Sequence, residues 1–151
     1  MFSRQSFVFI FFGVVFDQVT KLLAHHFLYF TQIQVVPFFL SFQLVHNYGA
    51  AYGIFEHQRY FLIGVHVLVI VGMIFFWKHF VFGNYSMKGL VYLFTGAIGN
   101  LIDRLFRGYV IDFVDIQIIP VFNLADFLIT VGVALLFIDV FKPYVSRFLH
   151  S

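Results

Sequence analysis

Four stretches of this chain are too long and too apolar to be folded away in water. A helix that crosses a bilayer needs roughly 20 mainly apolar residues, and the stretches run from about Ser6 to Phe27, Tyr60 to Trp77, Gly89 to Leu105 and Ala125 to Phe141. A domain of 151 residues cannot bury a composition that is 62% hydrophobic with 25 phenylalanines, because small domains leave much of their surface exposed. With a mean hydropathy of +0.95, the chain reads as an all-α membrane protein, a bundle of four transmembrane helices. No Gly/Ser-rich, Pro-rich or low-complexity segment divides it, so residues 1–151 are expected to form a single integral membrane domain.

The first apolar stretch contains Asp17 and Lys21 and lacks a closing small-x-small site, which marks it as a retained anchor rather than a cleaved signal peptide. Orientation follows the basic residues near helix ends. Arg4, Lys78, Lys88, Lys142 and Arg147 fall on one side and Arg59, Arg104 and Arg107 on the other, which puts both termini in the cytoplasm. Trp77, Tyr60, Tyr92 and Tyr144 sit near the ends as interfacial anchors. Glu56, Asp103, Asp112, Asp115 and Asp126 then all face outward, and so does any chemistry they perform.

The outer loop from about Leu28 to Arg59 alternates polar and apolar residues around Pro37, with Gln32, Gln34, Ser41 and Gln43 among β-branched and aromatic neighbours. This pattern predicts two short strands and a small amphipathic sheet on the outer membrane surface. The small residues of "NYGAAYG", Asn47 to Gly53, allow close backbone approach at the border of a groove.

The polar groups at membrane depth carry the functional information. Asp17 and Lys21 are four apart on one helix face and form a buried ion pair that braces the bundle. Asn100, Asp103 and Arg104 share a face at the outer end of the third helix, just after Gly96, Ala97 and Gly99; the alternative for them is solvation at the interface. Asn123 and Asp126 stand three apart at the mouth of the fourth helix, where either can cap it; one cap leaves the other free for another role. Asp112 lies among apolar neighbours, which favours its protonated form. Two carboxyls brought to one rim share a proton, one acting as acid and the other as base toward water. Asp115, one helical turn beyond Asp112, competes for the part.

Other chemistries have less support. There is no cysteine, hence no thiolate metal site or cysteine nucleophile. The seven histidines, His25, His26, His46, His57, His66, His79 and His150, show no HExxH motif, and His66 reads as a hydrogen-bonded core histidine. No GxSxG, Ser-xx-Lys or phosphate-binding loop occurs. No metal or cofactor is expected, and a net charge of +2 is too small for nucleic acid.

Four blocks, "FDQVTK" (16–21), "NYGAAYG" (47–53), "GNLIDRLFRGYVIDF" (99–113) and "FNLADFLITVG" (122–132), resemble in order the signature blocks of the lipoprotein signal peptidases, signal peptidase II. The resemblance implies an aspartyl endopeptidase of the bacterial inner membrane that removes the signal peptide of diacylglyceryl-modified prolipoproteins, N-terminal to the lipidated cysteine. It implies four membrane helices with a small extracytoplasmic β-sheet cradle, and a site at the periplasmic face. By motif position, Asp112 and Asp126 are the implied catalytic pair. Asn47, Asn100, Asp103, Arg104 and Asn123 match site-lining or bracing positions, and Asp17 and Lys21 the structural pair. The implied partners are the lipid-modified prolipoprotein and membrane phospholipid, with no obligate protein partner. Two departures stand out: Tyr52 where phenylalanine is usual, and a compact connector between Asp112 and Asp126. A proton- or ion-coupled transporter would also carry membrane acids, and a non-catalytic assembly factor would need no acid pair; these are the competing readings.

Overall fold

The computed structural model describes residues 2–81 and 83–149, with side chains described except at 51 and 143–149. His150 and the side chains of Tyr144 and Arg147 therefore lie outside the described residues. Four helices, α1 (Arg4–Phe27), α2 (Arg59–Phe80), α3 (Asn84–Phe106) and α4 (Leu124–Leu149), carry three strands between them: β1 (Ile33–Val36), β2 (Leu40–Asn47) and β3 (Val110–Asp115).

Three helical segments, Arg4–Phe27, Arg59–Phe80 and Leu124–Lys142, are long and apolar enough to cross a membrane. Their large apolar side chains point outward: Phe7, Phe11, Phe12 and Phe16 of α1, Leu68 and Phe75 of α2, and Phe137 and Phe141 of α4 are all exposed. The interior holds polar and charged groups instead, with Asp17, Lys21, Asn100, Asp103 and Arg104 buried. In water such a distribution would be unstable. In lipid it is the expected one, since hydrocarbon solvates the apolar faces and polar groups must pair internally.

Helix α3 has 23 residues but is more polar than the other three, and it packs against each of them. Small residues let its neighbours close in. A Cβ on Gly96 would collide with the Ala125 carbonyl of α4, and one on Gly99 would lie 2.6 Å from Asp17 Oδ2 of α1. Replacing either glycine would push helices apart.

Helix ends depart from the sequence expectation for identifiable reasons. Helix α3 begins at Asn84 rather than near Gly89 because its first turn is capped: Ser86 N donates to Asp139 Oδ2 at 2.7 Å, and Gly83 N to Ser86 Oγ at 2.8 Å. Helices α2 and α4 run past Trp77 and Phe141, where the apolar pattern stops. Backbone hydrogen bonding continues a helix beyond the point at which its side chains cease to be lipophilic.

The sheet is antiparallel in the order β1-β2-β3. The first two strands occupy the expected loop, whereas β3 lies outside it, its six residues having no turn-flanked alternation of their own. Its partner β2 lies more than 60 residues earlier, with Asn47 opposite Val110 and Val45 opposite Asp112. The approach to β3 is set by Gly108, whose φ of +87° ends α3 in the left-handed conformation that glycine adopts without strain. The freed carbonyls of Arg104 and Leu105 accept from Arg59 Nε and Nη2, both at 2.8 Å. A cation from α2 thereby satisfies the C-terminus of α3.

Candidate active site

Asp126 and Asn123 arrive together by local rules. Asn123 precedes α4, and Asp126 N donates to Asn123 Oδ1 at 3.0 Å while Asn123 N donates to Asp126 Oδ2 at 3.2 Å. This is a reciprocal capping box, so both residues cap, contrary to the expectation that only one would. Each still has an atom to spare. Asn123 Nδ2 donates to Asp112 Oδ1 at 2.6 Å and to Asn100 Oδ1 at 3.2 Å, and Asp126 Oδ1 accepts from Asn100 Nδ2 at 2.8 Å.

Asp112 comes from β3, and its other oxygen accepts from Asn47 Nδ2 of β2 at 2.9 Å. Asn47 Oδ1 is itself tied to Gly49 N at 3.0 Å, which fixes the amide with its donor toward the acid. Thus Asn123 bridges the two carboxyls, while Asn47 holds Asp112 and Asn100 holds Asp126. Burial and then the charge of Asp126 push the Asp112 carboxyl up to about 7, against the opposing pull of Asn47, Asn123 and Lys21. This carboxyl is therefore poised to hold or release a proton near neutral pH.

Beneath the asparagines lies a fully buried cation. Lys21 Nζ donates to Asp17 Oδ2 at 2.9 Å, Asp103 Oδ2 at 2.9 Å and Asn100 Oδ1 at 3.0 Å, which uses all three ammonium protons. The Asp17–Lys21 pair therefore forms as expected but is larger than a pair. Because Lys21 can only donate, Asn100 must turn its oxygen toward Lys21 and its nitrogen toward Asp126. Asp17 Oδ1 also accepts from Ala125 N at 2.9 Å, so α1 holds the first turn of α4.

The expected common face of Asn100, Asp103 and Arg104 divides three ways. Asn100 joins the two acids, while Asp103 turns back to Lys21, Arg107, Gln18 and Ile111 N. Arg104 Nη2 donates to Gly49 O at 2.8 Å, and its Nη1 is buried with no hydrogen-bond partner among the described residues. All three are buried, which rules out solvation at the interface as their reason for being there.

Asp115 stands apart. An odd separation from Asp112 along a strand, not a helical turn, sends it to the opposite face. It accepts from Gln43 Nε2 at 2.6 Å and from Gln117 N and Nε2 at 2.8 Å, closing the turn after β3.

Asp112 and Asp126 line one cavity of about 600 Å³, with Asn47, Asn100 and Arg104 on its walls and the loop from Tyr48 to Gly53 at its border. Such a site has two carboxyls, one raised toward neutrality, amide donors that hold them, and an unpaired guanidinium N–H. It can activate water and polarise a carbonyl without a covalent intermediate. Two contributors lie beyond the sequence reading of the site, Gln18 because little marks it and His66 because it reads there as a core histidine. Gln18 links Asp17, Asp103 and the Gly99 carbonyl and accepts from Arg107; its only sequence signal is its place beside Asp17. His66 lines the cavity from α2 as well as bonding to its own helix; its signal is to be the lone strongly polar side chain between Tyr60 and Trp77.

Comparison with known proteins identifies the family. Residues 9–142 match the family model described as Signal peptidase (SPase) II. A lipoprotein signal peptidase of Caldicellulosiruptor bescii is 42% identical, covering 81% of each chain. One from Clostridium novyi is 36% identical, covering 84% of this chain and 90% of the relative. Among solved structures, a bacterial membrane enzyme determined in meso at 2.3 Å resolution superposes with a TM-score of 0.84 at 31% identity, covering 97% of this chain and 93% of the other. A second, at 1.9 Å resolution, gives 0.82 at 33% identity, covering 93% and 95%.

Proposed function

Because this chain belongs to the signal peptidase II family, we propose that Asp112 and Asp126 are the carboxyl pair with which it hydrolyses the signal-peptide bond of prolipoproteins. The protein is an aspartic endopeptidase, and the observation that carries the site assignment is the asparagine-bridged pair on one cavity wall. The raised Asp112 carboxyl supplies a proton to the scissile carbonyl oxygen as Asp126 takes one from the attacking water. Asp126 then returns its proton to the leaving amine, and collapse of the diol restores Asp112. Arg104 Nη1 is a donor available to a substrate carbonyl, and Asn47, Asn100 and Asn123 hold the acids.

The substrate's diacylglyceryl group stays among phospholipid tails, so binding energy remote from the reacting bond helps to orient it. We read the whole chain as one inner-membrane unit with α3 as a fourth span. Arg4, Lys78, Lys88 and Lys142 lie at the ends of helices away from the cavity, which supports cytoplasmic termini and a periplasmic sheet and site. No protein partner is needed for the reaction so described. The transporter and assembly-factor readings are not favoured.

Purified protein in lipid nanodiscs, given a diacylglyceryl-modified prolipopeptide, should make one cut, directly before the lipidated cysteine, as read by mass spectrometry. The same peptide without the lipid should react at least about a hundredfold more slowly, since the remote binding energy is gone. Equal rates on both would refute the reading. The pH profile is a separate expectation: with Asp112 at about 7 serving as the acid, log kcat/KM falls above that pH with a slope approaching −1. A flat profile to pH 9 would show that Asp112 is not the proton donor.

A further inference from the structure

We propose that His66 is a substrate-contacting residue whose Nε2 accepts a hydrogen bond from a backbone N–H of the signal-peptide segment, on the membrane side of the scissile bond. The inference rests on the peptidase reading above and adds to it a specificity contact. Between Tyr60 and Trp77, helix α2 presents one side chain with full hydrogen-bonding capacity. A polar group in a spanning helix is costly unless something uses it. His66 is half-buried and lines the cavity that holds Asp112, Asp126, Asn100, Arg104 and Thr130.

Its tautomer follows from its neighbour. His66 Nδ1 lies 2.8 Å from the Leu62 carbonyl, which can only accept, so Nδ1 carries the hydrogen and Nε2 of the neutral ring keeps a lone pair. Among the described residues, no donor is paired with that second nitrogen. A histidine serving only to brace its own helix would need the Leu62 bond alone.

The chemistry of an acceptor selects the ligand group. A diacylglyceryl thioether offers ester and sulfur acceptors and no donor, which suits the unpaired guanidinium N–H of Arg104 but not a neutral Nε2. Peptide N–H groups are the donors the substrate has. His66 lies seven residues into α2 from Arg59, about 10 Å along the axis, and so deeper than the sheet that carries Asp112. The segment that passes this depth is the part of the substrate still emerging from the bilayer, the end of the signal peptide.

The test uses the full chain in nanodiscs and diacylglyceryl prolipopeptides N-methylated in turn at each of the three residues before the scissile bond. His66→Leu should raise KM about tenfold with kcat within about twofold, the effect of one hydrogen bond, and His66→Gln, whose Oε1 can accept, should recover most of it. One N-methyl substrate should lose about tenfold with the native enzyme and nothing further with His66→Leu. The proposal is overturned if KM is unchanged in His66→Leu, if every N-methyl substrate affects both enzymes equally, or if the change falls on kcat with a displaced pH optimum, which would assign His66 to proton transfer. The N-methyl series on the native enzyme decides the matter even if His66→Leu folds poorly. Failure of the native enzyme to cut the unmethylated peptide would instead refute the peptidase reading itself.

Discussion

Asp112→Asn and Asp126→Asn should each reduce kcat by about a thousandfold, the scale of a lost general acid or base. An amide can neither release the proton required at the carbonyl oxygen nor take the one required from water. The two losses should not add. Once either half of a proton-sharing pair is gone the other has no productive step, so the double variant should be no slower than the slower single one. Packing should survive, because Asn fills the volume of Asp and, at 112, can still accept from Asn47 or Asn123. The pH dependence of unfolding gives an independent check on folding. A carboxyl at about 7 in the native protein and near 3.9 unfolded binds its proton more tightly when folded. Its stabilising contribution is complete below about pH 4 and is lost as pH rises toward 7. The native unfolding midpoint should therefore fall across that window, and Asp112→Asn should flatten the fall. Residual cleavage near the native rate in a folded variant would remove that aspartate from the mechanism.

How much of this was legible in the sequence depended on whether the determining contacts were local. Asn123 and Asp126 were readable as a helix start because a capping box is written within four residues, although their second bonds were not. Asp17 and Lys21 were readable as a pair by their helical spacing, but Asp103 and Asn100 as the other ligands of Lys21 were not, because they come from α3, 79 residues or more further on. The membrane class was plain from the length of the apolar runs. By contrast, β3 was missed because its six residues form a strand only against β2, and that long-range pairing also decides that Asp115 faces away from Asp112. From its residue type alone His66 reads as a core histidine; only the packing of α2 beside the cavity places it among the acids. The acids themselves were found as a group by their rarity in an apolar chain, and their roles were separated by tertiary contacts.

Lys21→Met should be the most destabilising single change in the scaffold. Methionine matches the length of the lysine stem, so the loss is electrostatic: Asp17 and Asp103 remain buried without the ammonium that both contact at 2.9 Å. Breaking a buried ion cluster by removing one partner costs about 3–5 kcal/mol. Arg107 still reaches Asp103, while Asp17 retains only uncharged donors, Ala125 N and Gln18 Nε2, and carries the uncompensated charge. Adding Asp17→Asn to Lys21→Met should accordingly restore neutrality and recover most of the unfolding midpoint. Activity should not return with it. Lys21 is the stronger of the two donors that turn the Asn100 oxygen inward and its nitrogen toward Asp126; without it the amide is held by the longer Asn123 bond alone and flips more readily to present its oxygen to the carboxyl. The double variant is thus expected to be stable but slow, with kcat still reduced about tenfold or more for the one misplaced hydrogen bond. If stability and activity recovered together, Lys21 would be scaffold alone, and Asn100 would owe its orientation to Asn123 rather than to the buried cation.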